Sequence, residues 1–446
     1  MASLLSLAAE LQLNIVEQLD ATSDSFIPGP SQDLLSLSRV CKALRNLVLP
    51  FLLRKITLLN EETSGTSVLS ILRGPYAQHV RHLHYIGVMP MPDDDVRDEA
   101  LPDPSPDHFP EAVEKVLSSL AELRNLERVT VQFICSKKRK EDEENNSYGF
   151  DLMEDFETDE DVLESEKTIA FRALMERSYR ALSQNLPSSI KHLELKDVVA
   201  KKCSAWQLPG FQRVLENLSS FTISLRGGDN GAGWQINKAE TYLDFIRELH
   251  LYFFQRLSSV KHFSFAATDD GPPGVEDGIS CGALPLHGQH MPQLQSLHLE
   301  YAFISDEMAS FITAHRSTLE TVQLNHCYSH WGGGYTEEFI CWGDFFRSIA
   351  SQKMGALKTF DVGASDLEQL EIPEKNDYDF DKAYRSKELR EKFPERRMYD
   401  YKTLDDKYGM VFDSEGDAHE KFEGGSDHAG WQQLCKVIQK NVEDDD

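Results

Sequence analysis

One spacing of apolar residues recurs eight times along the chain and constrains its fold more than any other feature. An apolar residue is followed three positions later by a second one, and two positions after that by a third. Because side chains alternate along a strand, the second and third residues point to the same face of a short strand. The occurrences are Val80/Leu83/Tyr85, Leu126/Val129/Val131, Ile190/Leu193/Leu195, Leu218/Phe221/Ile223, Val260/Phe263/Phe265, Leu294/Leu297/Leu299, Leu319/Val322/Leu324 and Leu357/Phe360/Val362.

Segments with helical periodicity precede several of these strands, at residues 111–123, 161–186, 240–257, 306–316 and 344–351. Each unit therefore consists of a helix, a turn and a strand, which resembles the leucine-rich repeat. The resemblance implies an α/β fold, an irregular leucine-rich-repeat-like solenoid with a parallel sheet inside and helices outside. A parallel β-helix and plain α/β packing are the structural alternatives.

Polar side chains alternate with the apolar ones along the predicted strands and share the opposite face of the sheet. This face is the predicted substrate-binding surface, although a face that is simply solvated is the alternative. Its candidate residues are His192, Glu194, Lys196, His262, His298, Glu300, Gln323 and Asn325. The recurring histidines 82, 192 and 262 would lie about 10 Å apart, too far to share a zinc ion. We therefore predict no metal and no cofactor.

The N-terminal segment carries two amphipathic helical patterns. Apolar residues at positions 4, 7, 11, 15 and 19 form one stripe, and a second runs from Asp33, a good N-cap, to a stop at Pro50. The pattern predicts a helical hairpin. So small a unit has too much surface for its volume to bury both stripes, so apolar surface remains for a partner. An ordinary hairpin packed on its own domain is the alternative.

This segment resembles the F-box, most specifically in Leu34-Leu35-x-Leu37-Ser38-x-Val40-Cys41-Lys42-x-Leu44-Arg45. The resemblance implies docking onto a Skp-type adaptor and, through it, onto the cullin of a ubiquitin ligase. The adaptor-binding residues that it implies are Leu7, Leu11, Ile15, Leu19, Leu34, Leu37, Val40, Cys41 and Leu44.

Composition excludes several classes of function. The formal net charge of -28 argues against nucleic acid and against an anionic membrane as partners. Seven scattered cysteines without a C-x-x-C pair indicate a reducing compartment, so we expect a cytoplasmic and/or nuclear protein. Residues 137–166 pass from a basic run into an acidic one and are expected to be disordered. Whether Lys137–Lys140 acts as a nuclear import signal is left open.

No catalytic motif stands out. His326, Cys327 and His330 lie close enough in sequence to suggest a thiolate pair of cysteine and histidine, but the repeat pattern favours a buried thiol at Cys327. The predicted organisation is an F-box-like module at 1–54, the repeat domain at 55–370, and a C-terminal cap or a protein-binding tail at 371–446. The predicted function is a non-catalytic substrate-recognition subunit of an SCF-type cullin-RING E3 ubiquitin ligase. A repeat scaffold outside any ligase and an enzyme with an unrecognised site are the alternatives.

Overall fold

The computed structural model describes residues 7–21, 32–90, 109–136, 158–228, 233–274, 284–330, 340–369, 380–405 and 407–445. In chain order its helices are α1 (Ala9–Ala21), α2 (Gln32–Val40), α3 (Lys42–Leu52), α4 (Glu62–Leu72), α5 (Glu111–Ser118), α6 (Asp159–Thr168), α7 (Ala170–Gln184), α8 (Pro209–Asn217), α9 (Glu240–Tyr252), α10 (Asp306–Ala314), α11 (Trp342–Ala350), α12 (Asp366–Gln369), α13 (Phe380–Lys392), α14 (Glu415–Gly424) and α15 (Ser426–Asp445). Its strands are β1 (Lys55–Leu59), β2 (His82–Pro90), β3 (Arg128–Ser136), β4 (His192–Val198), β5 (Ser220–Leu225), β6 (His262–Ala266), β7 (Ser296–Glu300), β8 (Thr321–Asn325), β9 (Ser329–His330), β10 (Thr359–Val362), β11 (Tyr401–Leu404) and β12 (Val411–Asp413).

The chain is an α/β protein that divides into two compact units. The first comprises Met1–Lys138, Val162–Lys196 and Cys203–Leu218, and the second comprises Arg139–Asp161, Asp197–Lys202 and Ser219–Asp446. In the first unit, β1 to β4 pair in parallel in chain order. In the second, β5, β6, β7, β8 and β10 do the same, and β9, β11 and β12 form a separate small sheet. The prediction of an α/β fold with parallel strands is confirmed.

The apolar spacing of the sequence forms the core of both units. Every residue in its eight occurrences is at most 6% exposed. The second and third residue of each occurrence lie in a strand, and the first lies in the turn before it. Since the intervening positions carry polar side chains, the period-two alternation has one buried face and one polar face.

Hydrogen bonds before the strands align each repeat with the next. The carbonyl of Arg54, just before β1, accepts from the amides of Arg81 and His82, both at 2.9 Å. In the second unit the carbonyl of Lys261 accepts from Gln295 at 2.8 Å and Ser296 at 2.9 Å. Successive strands therefore start at the same level, and their polar residues line up in rows across each sheet.

Residues 51–59, whose sequence predicts a short helical turn that runs into a first strand, contain β1. Leu53, Ile56 and Leu58 have the same spacing as the eight predicted occurrences, with Leu53 in the turn before β1 and the other two in the strand. Ile56 and Leu58 are buried, and β1 pairs with β2 in register. This strand adds Lys55 and Thr57 to the rows of the first sheet.

The predicted second N-terminal helix is wrong in one respect, because two helices replace it. α2 ends at Val40, Cys41 is fully extended (φ -159°, ψ 168°), and α3 begins at Lys42. Neither a glycine nor a proline marks this break in the sequence. Pro50 does not stop the helix either, since α3 continues to Leu52. A proline in the last turn removes only one backbone hydrogen bond, which limits its cost.

Part of the segment expected to be disordered is helical. Asp159, Glu160 and Asp161 form the first turn of α6. Acidic side chains there stabilise the helix, because they lie at the positive end of its dipole. Thr158 Oγ1 accepts from the amide of Asp161 at 3.2 Å, and the Asp161 carboxylate accepts from the amide of Thr158 at 2.9 Å. This reciprocal cap explains why so charged a stretch folds. The remainder of the predicted insertion, including Lys137–Lys140, lies outside the described residues.

The C-terminal elements pack on the last repeat of the second unit. Trp431 of α15 contacts Phe346 of α11 and Phe360 of β10, with ring centroids 5.2 and 6.3 Å apart. The Asn441 amide donates to the carbonyl of Leu357 at 2.8 Å. Among the described helices, none is both long enough and apolar enough to cross a membrane.

Candidate functional site

The three N-terminal helices share a small apolar core of their own. Val16 of α1, Leu34 of α2 and Val48 of α3 are completely or almost completely buried against one another. Partly buried side chains surround them, namely Leu19, Leu37, Leu47, Phe51 and Leu52. Each helix supplies at least one fully buried anchor, so α1 to α3 form one packed cluster.

The nine residues that the F-box resemblance implies for adaptor binding divide between this core and the surface. Leu34 and Leu44 are 1% and 5% exposed, so these two pack inside the protein and do not lie on its surface. Four others, Leu7, Leu19, Leu37 and Cys41, are partly buried. The remaining three are exposed, with Leu11 at 51%, Ile15 at 38% and Val40 at 69%.

Exposed apolar side chains on α1 form a short stripe. Leu11 and Ile15 lie one helical turn apart and therefore share a face. Val16, the next residue, turns inward instead. The predicted stripe is wider than the part that the other helices cover, so its outer edge faces solvent. Large apolar side chains exposed in this way are typical of a protein-binding surface when they are clustered.

On the first unit, hydrogen bonds link the polar side chains across the strands. His82 Nε2 lies 2.8 Å from Thr130 Oγ1, and that hydroxyl donates to the Glu194 carboxylate at 2.9 Å. Because a hydroxyl has a single proton, Thr130 must accept from His82, so the proton of His82 is on Nε2. The predicted residue Glu194 is therefore held in place from β3.

The charge of His82 is suppressed in the folded protein. Burial, together with the smaller effects of the charges of Lys55 and Arg128, lowers its pKa to about 3. The pKa of His84 is lowered as well, first by burial and then by Lys55. The rings of His82 and His84 stack with centroids 6.4 Å apart. At neutral pH this face carries neutral imidazoles beside cations.

We expect His82 to make the first unit less stable in acid. The pKa is near 6.5 in the unfolded chain and about 3 in the folded protein, so unfolding takes up a proton between these values. The contribution of His82 to the free energy of unfolding is therefore fully present above about pH 6.5 and is lost as the pH falls towards 3. In urea unfolding at pH 7 and pH 5, the loss of stability should be smaller in His82→Gln than in wild type. His79→Gln controls for the loss of a histidine, and identical losses in all three proteins would contradict this assignment.

On the second unit, His298 lies between two hydrogen-bonding neighbours. Its Nδ1 is 3.1 Å from Ser264 Oγ on β6, and its Nε2 is 3.1 Å from the amide nitrogen of Asn325 on β8. Since the amide can only donate, Nε2 accepts and Nδ1 donates to Ser264. Gln323 is paired in register with His298, and Glu300 is paired with Asn325.

The structure thus brings together only part of the predicted substrate surface. His298, Glu300, Gln323 and Asn325 form one group on β7 and β8, and His262 lies on the neighbouring strand β6. The other three, His192, Glu194 and Lys196, lie on β4 at the edge of the first unit. We therefore treat them as two surfaces.

The sequence did not predict that Tyr301 and His326, at the ends of β7 and β8, form a stacked pair. Tyr301 (φ 53°) and His326 (φ 45°) both have left-handed backbones, which are uncommon for residues other than glycine. Their rings stack with centroids 4.9 Å apart and planes at 9°. Burial raises the pKa of Tyr301, and the neighbouring Asp269 and Glu300 raise it further. The one feature of the sequence that could have indicated these two positions is that each directly follows a predicted strand, where the chain must turn.

The suspected thiolate pair does not have the required chemistry. Cys327 is buried, and its Sγ lies 3.6 Å from the carbonyl of Leu299. Burial raises the pKa of the thiol to about 12, so Cys327 is not a nucleophile at neutral pH. Within the described part of the chain, no group of three or more His, Cys, Asp or Glu side chains could hold a metal ion.

The candidate residues lie on surfaces of two kinds. One carries exposed apolar side chains on α1 and α2, and two carry hydrogen-bonding side chains in rows across parallel strands. Comparison with known proteins adds no family assignment. No protein-family model matches the chain, and no curated protein matches it.

Proposed function

We propose that the chain is a substrate-recognition subunit of an SCF-type cullin-RING E3 ubiquitin ligase. In this proposal α1 to α3 bind the Skp-type adaptor, and through it the cullin, while the polar strand faces bind a protein substrate. The chain itself catalyses nothing. It holds the substrate close to the subunits that transfer ubiquitin, which accelerates the transfer by proximity.

The observation that carries the proposal is the exposure of Leu11, Ile15 and Val40 within the segment that resembles the F-box. The cluster of α1 to α3 already has its own core, built on Val16 and Leu34. These three side chains are therefore not needed to fill it. Exposed apolar side chains that contribute nothing to this core are the kind of anchor that a partner buries.

We expect substitution of these anchors to weaken adaptor binding by at least about 30-fold each. Truncation of a buried interface anchor often costs about 2 kcal/mol or more, and a charge at that position adds a desolvation cost. The variants are Ile15→Asp and Val40→Asp, and the measurement is the Kd of the purified chain for the Skp-type adaptor. Leu251→Asp is the matched control, because Leu251 of α9 is a leucine 45% exposed outside the N-terminal cluster.

The result also decides between the proposal and its rival. A folded wild-type chain that does not bind the adaptor favours a repeat scaffold that works outside any ligase. Equal weakening by Leu251→Asp would show that the adaptor binds apolar surface without specificity, which contradicts the proposal. Circular dichroism of each variant confirms that the fold is retained.

A further inference from the structure

The polar face of β1 to β4 carries exposed cations that no side chain among the described residues pairs with. Lys55, Arg128 and Lys196 are exposed, and within the described residues their side chains form no ion pair or hydrogen bond. Arg81, by contrast, lies just before β2 and pairs with Glu127 at 3.0 Å. Such a face is unexpected in a chain whose formal net charge is -28.

The three cations surround the histidine pair of this face. In the strand register Lys55 and Arg128 flank His82, so their Cα atoms lie about 10 Å apart. The charges of Lys55 and Arg128 act on His82, and those of Lys55 and Lys196 act on His84. Their potentials therefore overlap in the middle of the face. The only carboxylate in these rows is Glu194, which already accepts from Thr130.

We propose that the polar face of β1 to β4 binds a carboxylate-rich segment of a partner protein, held by Lys55, Arg128 and Lys196. The inference rests on the proposed function, since the segment belongs to the substrate that the receptor captures. From Lys55 to Lys196 the face measures about 20 Å, which is three strand spacings across and four residues along. An extended peptide of about six residues covers that distance.

The spacing of the cations favours carboxylates over phosphate. A phosphate group is usually bound by cations that converge on one point, most strongly by a bidentate arginine. Here two lysines and a single arginine are spread over the face, which matches single charges spaced along an acidic run. Nucleic acid is disfavoured because three cations release few counterions from a phosphate backbone.

The test uses the full chain without the adaptor, so its outcome is independent of membership in a ligase. The probe is a fluorescein-labelled 12-residue peptide of alternating Glu and Asp, measured by fluorescence anisotropy at 0.15 M salt. Its Gln and Asn counterpart controls for everything except charge. We expect the acidic peptide to bind, the uncharged one not to bind, and the affinity to fall when salt is raised to 0.5 M.

Two sets of variants locate the binding. The triple variant Lys55→Glu, Arg128→Glu, Lys196→Glu should weaken binding at least about tenfold, and the milder Lys55→Gln, Arg128→Gln, Lys196→Gln variant should weaken it too. Arg213→Glu is the control, because Arg213 is an exposed cation on α8 of the same unit. As a local readout, the pKa of His82 measured by NMR should rise when the acidic peptide binds.

Several results would overturn the inference. They are the absence of binding to the wild-type chain at 0.15 M salt, undiminished binding to both triple variants, or a loss in Arg213→Glu as large as theirs. Binding of a phosphorylated peptide or of single-stranded RNA, but not of the carboxylate peptide, would replace the proposed chemistry with another. Each outcome leaves the adaptor measurement unaffected.

Discussion

Replacing Trp342 with alanine is expected to lower the free energy of unfolding of the second unit by about 4 kcal/mol. Trp342 begins α11 and is fully buried. Its ring stacks on Tyr399 with centroids 5.3 Å apart and packs on Phe346 at 5.5 Å. Its Nε1 donates to the carbonyl of Asp400 at 3.0 Å, so the variant also removes one of the two hydrogen bonds that this carbonyl accepts.

Trp234 provides the matched control for this prediction. It is 39% exposed, although its ring also contacts a tyrosine, Tyr408, with centroids 5.8 Å apart. Trp234→Ala should cost less than about 1 kcal/mol because little buried volume is lost. Urea unfolding followed by circular dichroism measures both variants. Equal destabilisation would mean that Trp342 does not join the C-terminal elements to the last repeat.

Placing a carboxylate in the N-terminal core is expected to unfold that cluster. Leu34→Asp puts a charge between Val16 and Val48, both of which are 0% exposed. Burying an unpaired charge or forcing the helices apart should cost more than about 4 kcal/mol. We expect hydrogen exchange in α2 and α3 to lose its protection, while β6 to β8 keep theirs.

Val40→Asp is the control for this second prediction, since it makes the same chemical change at the end of the same helix. Val40 is 69% exposed, so its exchange pattern should match that of wild type. A cluster that tolerates Leu34→Asp would contradict the packing of α1 to α3. The contrast also shows that adaptor-binding variants should be made at exposed positions, because substitutions at Leu44 would disturb folding and binding together.

The repeat architecture could be predicted from the sequence because a single local pattern determines it. The position of a strand depends on which residues can be buried on one face of it. Three apolar residues separated by three and then two positions indicate those residues directly. The same spacing occurs at Leu53, Ile56 and Leu58, where the sequence also predicts a first strand. Lys55, one of the three cations of the polar face, lies in that strand.

The N-terminal cluster shows where periodicity is insufficient. A stripe of apolar residues predicts which face of a helix packs, but not how much of that face its neighbours cover. Ile15 and Val16 are adjacent and equally apolar, yet one is 38% exposed and the other 0%. The break at Cys41 likewise depends on tertiary packing, because the local sequence carries no stop signal.

The polar contacts could not be predicted because they join residues far apart in sequence. His82 and Thr130 are separated by 48 positions, and Thr130 and Glu194 by 64. Those contacts depend on the register between neighbouring strands, which the local sequence does not determine. The left-handed backbones of Tyr301 and His326 arise in the same way, from turns that the surrounding repeats impose.

The most direct test of the receptor proposal is hydrogen exchange of the full chain with and without the Skp-type adaptor. The account predicts added protection in α1 and at the end of α2, where Leu11, Ile15 and Val40 are exposed, and no change in the strands of the second unit. Protection elsewhere, or none at all at adaptor concentrations well above those of known ligase pairs, would contradict the claim that this segment docks on the adaptor.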